Sequence, residues 1–202
     1  LYSENGKISQ EDNSGDLVTK EPIYAKNLFA TAQMGIDMRW IDVDTITATN
    51  EGSGNVDFNI IAEGGNVTVL KIAQTSAADS GYIKLTTENG NITVDAAGTG
   101  VTTAGTGAIT LDANDTGTDK TLTVNKAISG TVGTITLEAD GTVTTNAVVS
   151  NSGAGAVVLK SNNSAIDQKA NVTSVGGLVT YTAGTSITMT SGTKATAGAS
   201  GA

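Results

Sequence analysis

The chain has 202 residues, with 11 Lys+Arg against 20 Asp+Glu, no His, no Cys and one Pro. Without His or Cys there can be no Ser-His-Asp or Cys-His nucleophile, no His- or Cys-based zinc, iron or copper site, and no disulfide. A formal net charge of −9 with a single Arg, Arg39, argues against a nucleic-acid partner, since phosphate binding needs a cationic face.

Residues 1–50 are the least regular. They hold the one Pro (Pro22), the one Trp (Trp40) and the methionines Met34 and Met38. Ala25 to Met34 has the composition of a short helix, but Gly35 and the extended run Ile41-Asp42-Val43-Asp44-Thr45-Ile46 favour strand. The expectation is irregular β-helix coils over 1–50, with a distinct capping or insertion element as the alternative. The start Leu1-Tyr2-Ser3, without an initiator Met, is read as a sign of a longer or processed protein.

A short pattern then recurs: Gly, any residue, Ile or Val, any residue, a large apolar residue. It begins with Gly6-Lys7-Ile8, is one residue tighter at Gly35-Ile36-Asp37-Met38, and continues as Gly54-Asn55-Val56-Asp57-Phe58 and Gly81-Tyr82-Ile83-Lys84-Leu85. Further copies start at Gly107, Gly133, Gly155 and Gly177. The anchors Ile8, Ile36, Val56, Ile83, Ile109, Ile135, Val157 and Val179 are spaced 28, 20, 27, 26, 26, 22 and 22 residues apart. A second apolar set follows each anchor: Val67-Val69, Ile92-Val94, Leu122-Val124, Val143, Ile166 and Ile187-Met189. A third comprises Ile72, Val101, Ile128, Val148, Val172 and Ala195. Turn residues separate them, as in Glu88-Asn89-Gly90-Asn91.

Three short strands cannot bury an apolar face alone, whereas stacked equivalent units can. The predicted fold is therefore all-β: a right-handed parallel β-helix of about eight coils of roughly 20–28 residues, three short strands per coil, regular and continuous over residues 51–202. Inward positions should form Ile, Val and Leu ladders, and outward positions should carry Thr, Asn, Lys and Asp. The 33 threonines suit outward strand positions, and the 3% aromatic content suits a narrow interior that rings would jam. Extra residues such as Ala113 to Thr118 are expected to bulge from turns.

The arrangement of Asn5-Gly6-Lys7-Ile8-Ser9-Gln10, Ile41 to Ile46, Gly54 to Phe58 and Gly64-Gly65-Asn66-Val67-Thr68-Val69 resembles large repetitive bacterial proteins similar to filamentous haemagglutinin. The Gly-x-Ile-Thr-Leu units at 107–111 and 133–137 fit the same group. That resemblance implies a right-handed parallel β-helix, secretion to the cell surface or beyond, and a role in adhesion or as a stalk.

Several motifs invite a chemical reading. Asp42-Val43-Asp44-Thr45 matches the nucleophile motif of haloacid-dehalogenase-like phosphatases, but alternation running through Ile46 puts both Asp on the outside of a strand. Asp115-Thr116-Gly117-Thr118 matches the aspartic-protease signature without the apolar strand that should precede it, so a turn is expected. Asp112, Asn114, Asp115 and Asp119 offer oxygen ligands for Ca²⁺ but lack EF-hand spacing. Gly52-Ser53-Gly54 and Gly98-Thr99-Gly100 read as turns rather than phosphate cradles. Arg39-Trp40 is the most conspicuous pair, either a binding platform or a packed filler. The sequons at Asn66, Asn91, Asn114, Asn162 and Asn171 are no more than composition would place by chance.

No catalytic, cofactor or metal residue is assigned, and no enzyme activity is expected. The favoured function is a structural or adhesive segment, a rigid stalk or filament subunit, extracellular or at the cell surface. Expected partners are other copies, neighbouring coils of a parent chain, or a host, cell-surface or glycan receptor; neither nucleic acid nor a membrane span is expected. The alternative is a β-helix polysaccharide lyase, glycosidase-like enzyme or carbohydrate-binding module.

Overall fold

The computed structural model describes residues 1–10, 23–61, 65–114 and 120–198. Every regular element among them is a strand, and every strand pairing is parallel. The chain winds as a β-solenoid of about seven turns.

The irregular opening is strand as well. β1 (Tyr2–Ser3) and β2 (Ile8–Ser9) precede β3 (Ile23–Ala32) and the 15-residue β4 (Ile36–Asn50). The helix-like stretch from Ala25 thus lies in β3, which pairs with β4 along nearly its whole length. Pro22 lies outside the described residues.

From β5 (Val56–Ile60) and β6 (Val67–Gln74) the pattern settles into triplets. These are β7 (Ile83–Thr87), β8 (Ile92–Val94) and β9 (Gly100–Thr103), then β10 (Ile109–Ala113), β11 (Leu122–Val124) and β12 (Ile128–Gly130). They continue as β13 (Ile135–Ala139), β14 (Val143–Thr145) and β15 (Val149–Asn151), then β16 (Val157–Ser161), β17 (Ile166–Gln168) and β18 (Val172–Ser174). The last turn holds β19 (Val179–Ala183), β20 (Ile187–Met189) and β21 (Ala195–Ala197).

The eight anchors form one column, in which Ile8 pairs with Ile36, then Val56, Ile83, Ile109, Ile135, Val157 and Val179 in succession. Their backbone amides carry the hydrogen bonding from turn to turn: Ile83 N donates to Ala108 O at 2.8 Å, Ile109 N to Thr134 O at 3.0 Å and Ile135 N to Ala156 O at 2.9 Å. Beside them runs a second column, Met38, Phe58, Leu85, Leu111, Leu137, Leu159 and Tyr181. Phe58 is fully buried there, so an interior ring is accommodated where an aliphatic-only core was expected.

Glycines make the first corner possible. A Cβ on Gly81 would strike the carbonyl oxygen of Gly54, one on Gly107 that of Gly81, and one on Gly133 that of Gly107. The glycine of the repeat is thus the point where successive turns of backbone touch. The preceding strand end seals this corner with buried polar side chains, among them asparagines that were expected at outward positions. Gln74 Nε2 donates to Gly54 O at 2.6 Å and Gly81 O at 2.9 Å, Asn151 Nδ2 donates to Gly133 O at 2.6 Å, and Ser174 Oγ donates to Gly155 O at 2.8 Å. Asn50 Nδ2 contacts Gln74 Oε1 at 3.1 Å, joining two turns inside the coil. Elsewhere Thr87 Oγ1 donates to Gly90 O at 2.6 Å, and Ser161 Oγ to Gly141 O at 2.7 Å.

Two strand assignments need correction. Val149, not Val148, pairs with Ile128 and Val172 and is buried; Val148 is 43% exposed. Two adjacent valines give no alternation to choose between them, and the carbonyl of Val148 instead accepts from Ile128 N. Ala113, expected in a bulging turn, ends β10 in register with Ala139. The residues up to Thr118 that should follow it lie outside the described residues from Asp115 onward.

In the last described turn Ile187 is 49% exposed, whereas Ile166, its partner one turn earlier, is buried. Ala195 pairs with Val172 but is likewise exposed.

Leu111→Ala, in mid-column, should lower the unfolding free energy by about 2–5 kcal/mol. Val158→Thr, on the outward side of β16, should leave it within about 0.5 kcal/mol. Gly107→Ala should destabilise strongly although it adds one methyl, because backbone, not a movable side chain, fills the space. Denaturant unfolding of the three variants checks the order.

Candidate functional site

Alternation of inward and outward residues breaks at Arg39-Trp40. β4 and β5 pair with Met38 opposite Phe58 and Ile41 opposite Ile60, so Arg39 and Trp40 together face the single residue Asn59. The extra residue is a β-bulge, which turns two consecutive side chains to the same side. Both are exposed, Trp40 at 37%. Gln10 braces the bulge from the neighbouring turn: its Nε2 donates to Trp40 O at 3.1 Å, and its Oε1 accepts from Trp40 N at 3.0 Å.

Charges gather beside the bulge because the outward column places Asp37, Asp57 and Lys84 on successive turns. Arg39 Nε donates to Asp37 Oδ1 at 2.8 Å, and its Nη2 lies 3.7 Å from Asp57 Oδ2. Lys7 Nζ reaches Asp37 Oδ2 at 3.0 Å, and the Tyr82 hydroxyl donates to Asp57 Oδ2 at 3.1 Å. Burial alone would raise the Asp37 carboxyl, but the hydrogen bonds from Lys7 and Arg39 outweigh it and hold the group below its ordinary value. The Arg39 guanidinium is held above its own by the same carboxylate. Burial, then the charge of Asp57, raises Tyr82.

A shallow open groove of about 350 Å³ lies along this face, lined by Arg39, Trp40, Asp57, Asn59, Lys84, Thr86 and Glu88. Asn59 gives its amide to Glu88 Oε1 at 2.7 Å. Its own Oδ1, and the Thr86 hydroxyl one turn further on, are covered from water yet have no hydrogen-bond partner among the described residues. Leaving such a group unpaired costs about 1–3 kcal/mol each.

A second polar cluster lies further along the same outward face. Asp112 pairs with Glu138 and Glu138 with Lys160, on consecutive turns. Lys160 Nζ donates to Glu138 Oε1 at 2.6 Å, and Asn162 Nδ2 reaches Asn114 Oδ1 at 3.1 Å and Asp140 Oδ1 at 3.0 Å. Stacking thus brings the expected calcium candidates Asp112 and Asn114 to residues that the sequence reading had not joined to them. Asp115 and Asp119 lie outside the described residues. Among the described residues no group of three or more Asp, Glu, His or Cys is arranged to hold a metal ion.

The other motifs fall into structural roles. Asp42 and Asp44 sit on the outward side of β4, and the protease-like Asp115 to Thr118 lies outside the described residues. Gly54 and Gly100 have φ of 99° and 91°, left-handed values that fit turns. The sequon asparagines bond between turns: Asn66 Oδ1 accepts from Asn91 N at 2.9 Å, Asn91 Oδ1 from Thr121 N at 2.7 Å, and Asn171 Oδ1 from Lys194 N at 2.9 Å. No protein-family model, no curated protein and no solved structure matches this chain.

Asp112 and Glu138 give opposite pH signatures. Burial, reinforced by the charge of Glu138, raises Asp112 above its ordinary 3.8. The folded chain then holds this proton more tightly than the unfolded one, so stability falls as pH rises from 3.8 through the raised value. Burial raises Glu138, but the hydrogen bonds from Lys160, Asn114 and Asn162 and the charge of Lys160 together outweigh it and lower the group. It contributes stability above its ordinary 4.5, lost as pH falls through the lowered value. Asp112→Asn should therefore melt higher than the parent at neutral pH and lose that advantage in acid. Glu138→Gln should melt lower at neutral pH, with its deficit shrinking in acid. Thermal melts by circular dichroism at both pH values read the two signs.

Proposed function

We propose that this chain is a rigid structural segment of a secreted or surface-displayed bacterial filament, a stalk or filament subunit related in kind to the filamentous-haemagglutinin-like proteins it resembles, and that its role is mechanical and adhesive rather than catalytic. The observation that carries this reading is the unbroken anchor column from Ile8 to Val179, with parallel hydrogen bonds joining every turn. About eight rungs at ~4.8 Å make a rod roughly 40 Å long. Right-handed winding follows the strong preference of parallel crossovers. An acidic, hydroxyl-rich exterior favours solubility outside a cell.

Such a segment should associate end to end, because the last described turn exposes Ile187 and Met189 beside strand edges that have no partner among the described residues. Light scattering over a concentration series, with negative-stain images, should show particles that lengthen without thickening. Met189→Lys should suppress the growth. A chain that stays monomeric at high concentration would count against the filament role. Turnover of pectin or alginate abolished by one Asp or Lys substitution would replace it with an enzyme.

A further inference from the structure

We propose that the outward face around β8 and β11 binds ice, holding the first layer of the crystal on a row of threonine hydroxyls that follows the solenoid axis. The inference does not rest on the filament reading. It stands on a register, a set of open hydroxyls and a spacing.

Thr45, Thr68, Thr93, Thr123 and Thr144 pair in succession, so five consecutive turns present a threonine at one outward position. Asp167 takes that position on the next turn and ends the row. The Thr45 hydroxyl donates to Asn27 Oδ1 at 2.7 Å. The other four hydroxyls have no hydrogen-bond partner among the described residues, and none is sealed from water as the Thr86 hydroxyl is. Side chains on either side are tied from turn to turn: Asn91 Nδ2 donates to Asn66 Oδ1 at 2.9 Å, the Thr121 hydroxyl to Asn91 Oδ1 at 3.1 Å, and Asn146 Nδ2 to Asn125 Oδ1 at 2.7 Å. The row is therefore fixed before any ligand arrives. Of the residues two positions to either side of these four threonines only Asp95 is charged, and its Oδ1 accepts from Ala97 N at 2.7 Å.

The spacing selects the ligand. Rungs lie about 4.8 Å apart, and a water bonded to two neighbouring hydroxyls at about 2.8 Å each spans that gap at an angle of about 118°, near the tetrahedral value. Hydroxyls and bridging waters then alternate along the row as oxygens do in ice, where the same bond length at tetrahedral angles puts second neighbours about 4.6 Å apart. The mismatch of about 0.2 Å per rung reaches only about 0.6 Å from Thr68 to Thr144. A dissolved sugar or peptide needs a concave site to enclose it, and an anionic polymer needs a cationic one. A nearly uncharged row on an open sheet face encloses nothing, and suits a flat solid whose atoms repeat at its own spacing.

Ice grown slowly on a cold probe excludes ordinary solutes, and emission from the chain's single tryptophan reads how it divides between ice and liquid. The chain should be enriched several-fold in the ice, and should keep small crystals from coarsening in a frozen film. Thr93→Lys/Thr123→Lys puts two bulky charges in the row and should lose both effects. Thr110→Lys/Thr136→Lys makes the same change on the outward side of β10 and β13 and should retain them. Both doubles should keep the β circular dichroism of the parent, since all four changes are on the surface. Exclusion of the parent chain from ice would overturn the proposal, as would equal behaviour of the two doubles. Exclusion from ice together with pelleting on microcrystalline cellulose, lost in Thr93→Lys/Thr123→Lys, would overturn it in favour of a polysaccharide face.

Discussion

The structure depends on how closely one turn of backbone can lie on the next. Parallel strands stack at about 4.8 Å, and at a corner that spacing leaves no room for a side chain between chains. The glycines at 81, 107 and 133 supply that room, each lying on the carbonyl of the glycine one turn before. Once the corners are in contact, the following Ile or Val can fall only into the column above its predecessor. The rest of each turn inherits its register from there. Turns may differ in length by several residues because the surplus is taken up away from this contact.

The interior is not purely aliphatic, and the reason lies at the same corners. Carbonyls drawn together inside a bend need donors. Gln74, Asn151 and Ser174 bring them from the end of the preceding strand, each different in length and each reaching a corner glycine. The apolar columns supply the burial, and these buried amides and hydroxyls define where each bend closes. Sealing a bend with protein rather than water leaves less for solvent to disrupt.

Much of the fold was legible in the sequence because its signal is local and repeated. A glycine two residues before a branched aliphatic, recurring every 20–28 residues, needs no partner to be noticed. What escaped was relational. Val148 and Val149 differ only in which faces Ile128 on the neighbouring turn. Asn50, Gln74 and Asn151 look like turn residues until the carbonyls they reach are known. The groove was hardest to see: Arg39-Trp40 is a bulge only relative to Asn59, and Thr86 joins it from the next turn, 27 positions further on. The pairing of Asp112 with Glu138 was hidden in the same way, since a whole turn separates residues that stacking makes neighbours.

The direction of the inter-turn hydrogen bonds has a mechanical consequence. They lie nearly along the rod, so a pull on its two ends loads them in tension one rung at a time rather than shearing all of them together. A solenoid pulled in this way would yield from an end inward, giving up one coil per step, 22 residues for the last described coils and 26 or 27 for the middle ones. The coils still wound, apart from the newly exposed rung, would keep their contacts. Under such a load the solenoid would pay out thread, and the slack could rewind onto the exposed rung when the load falls.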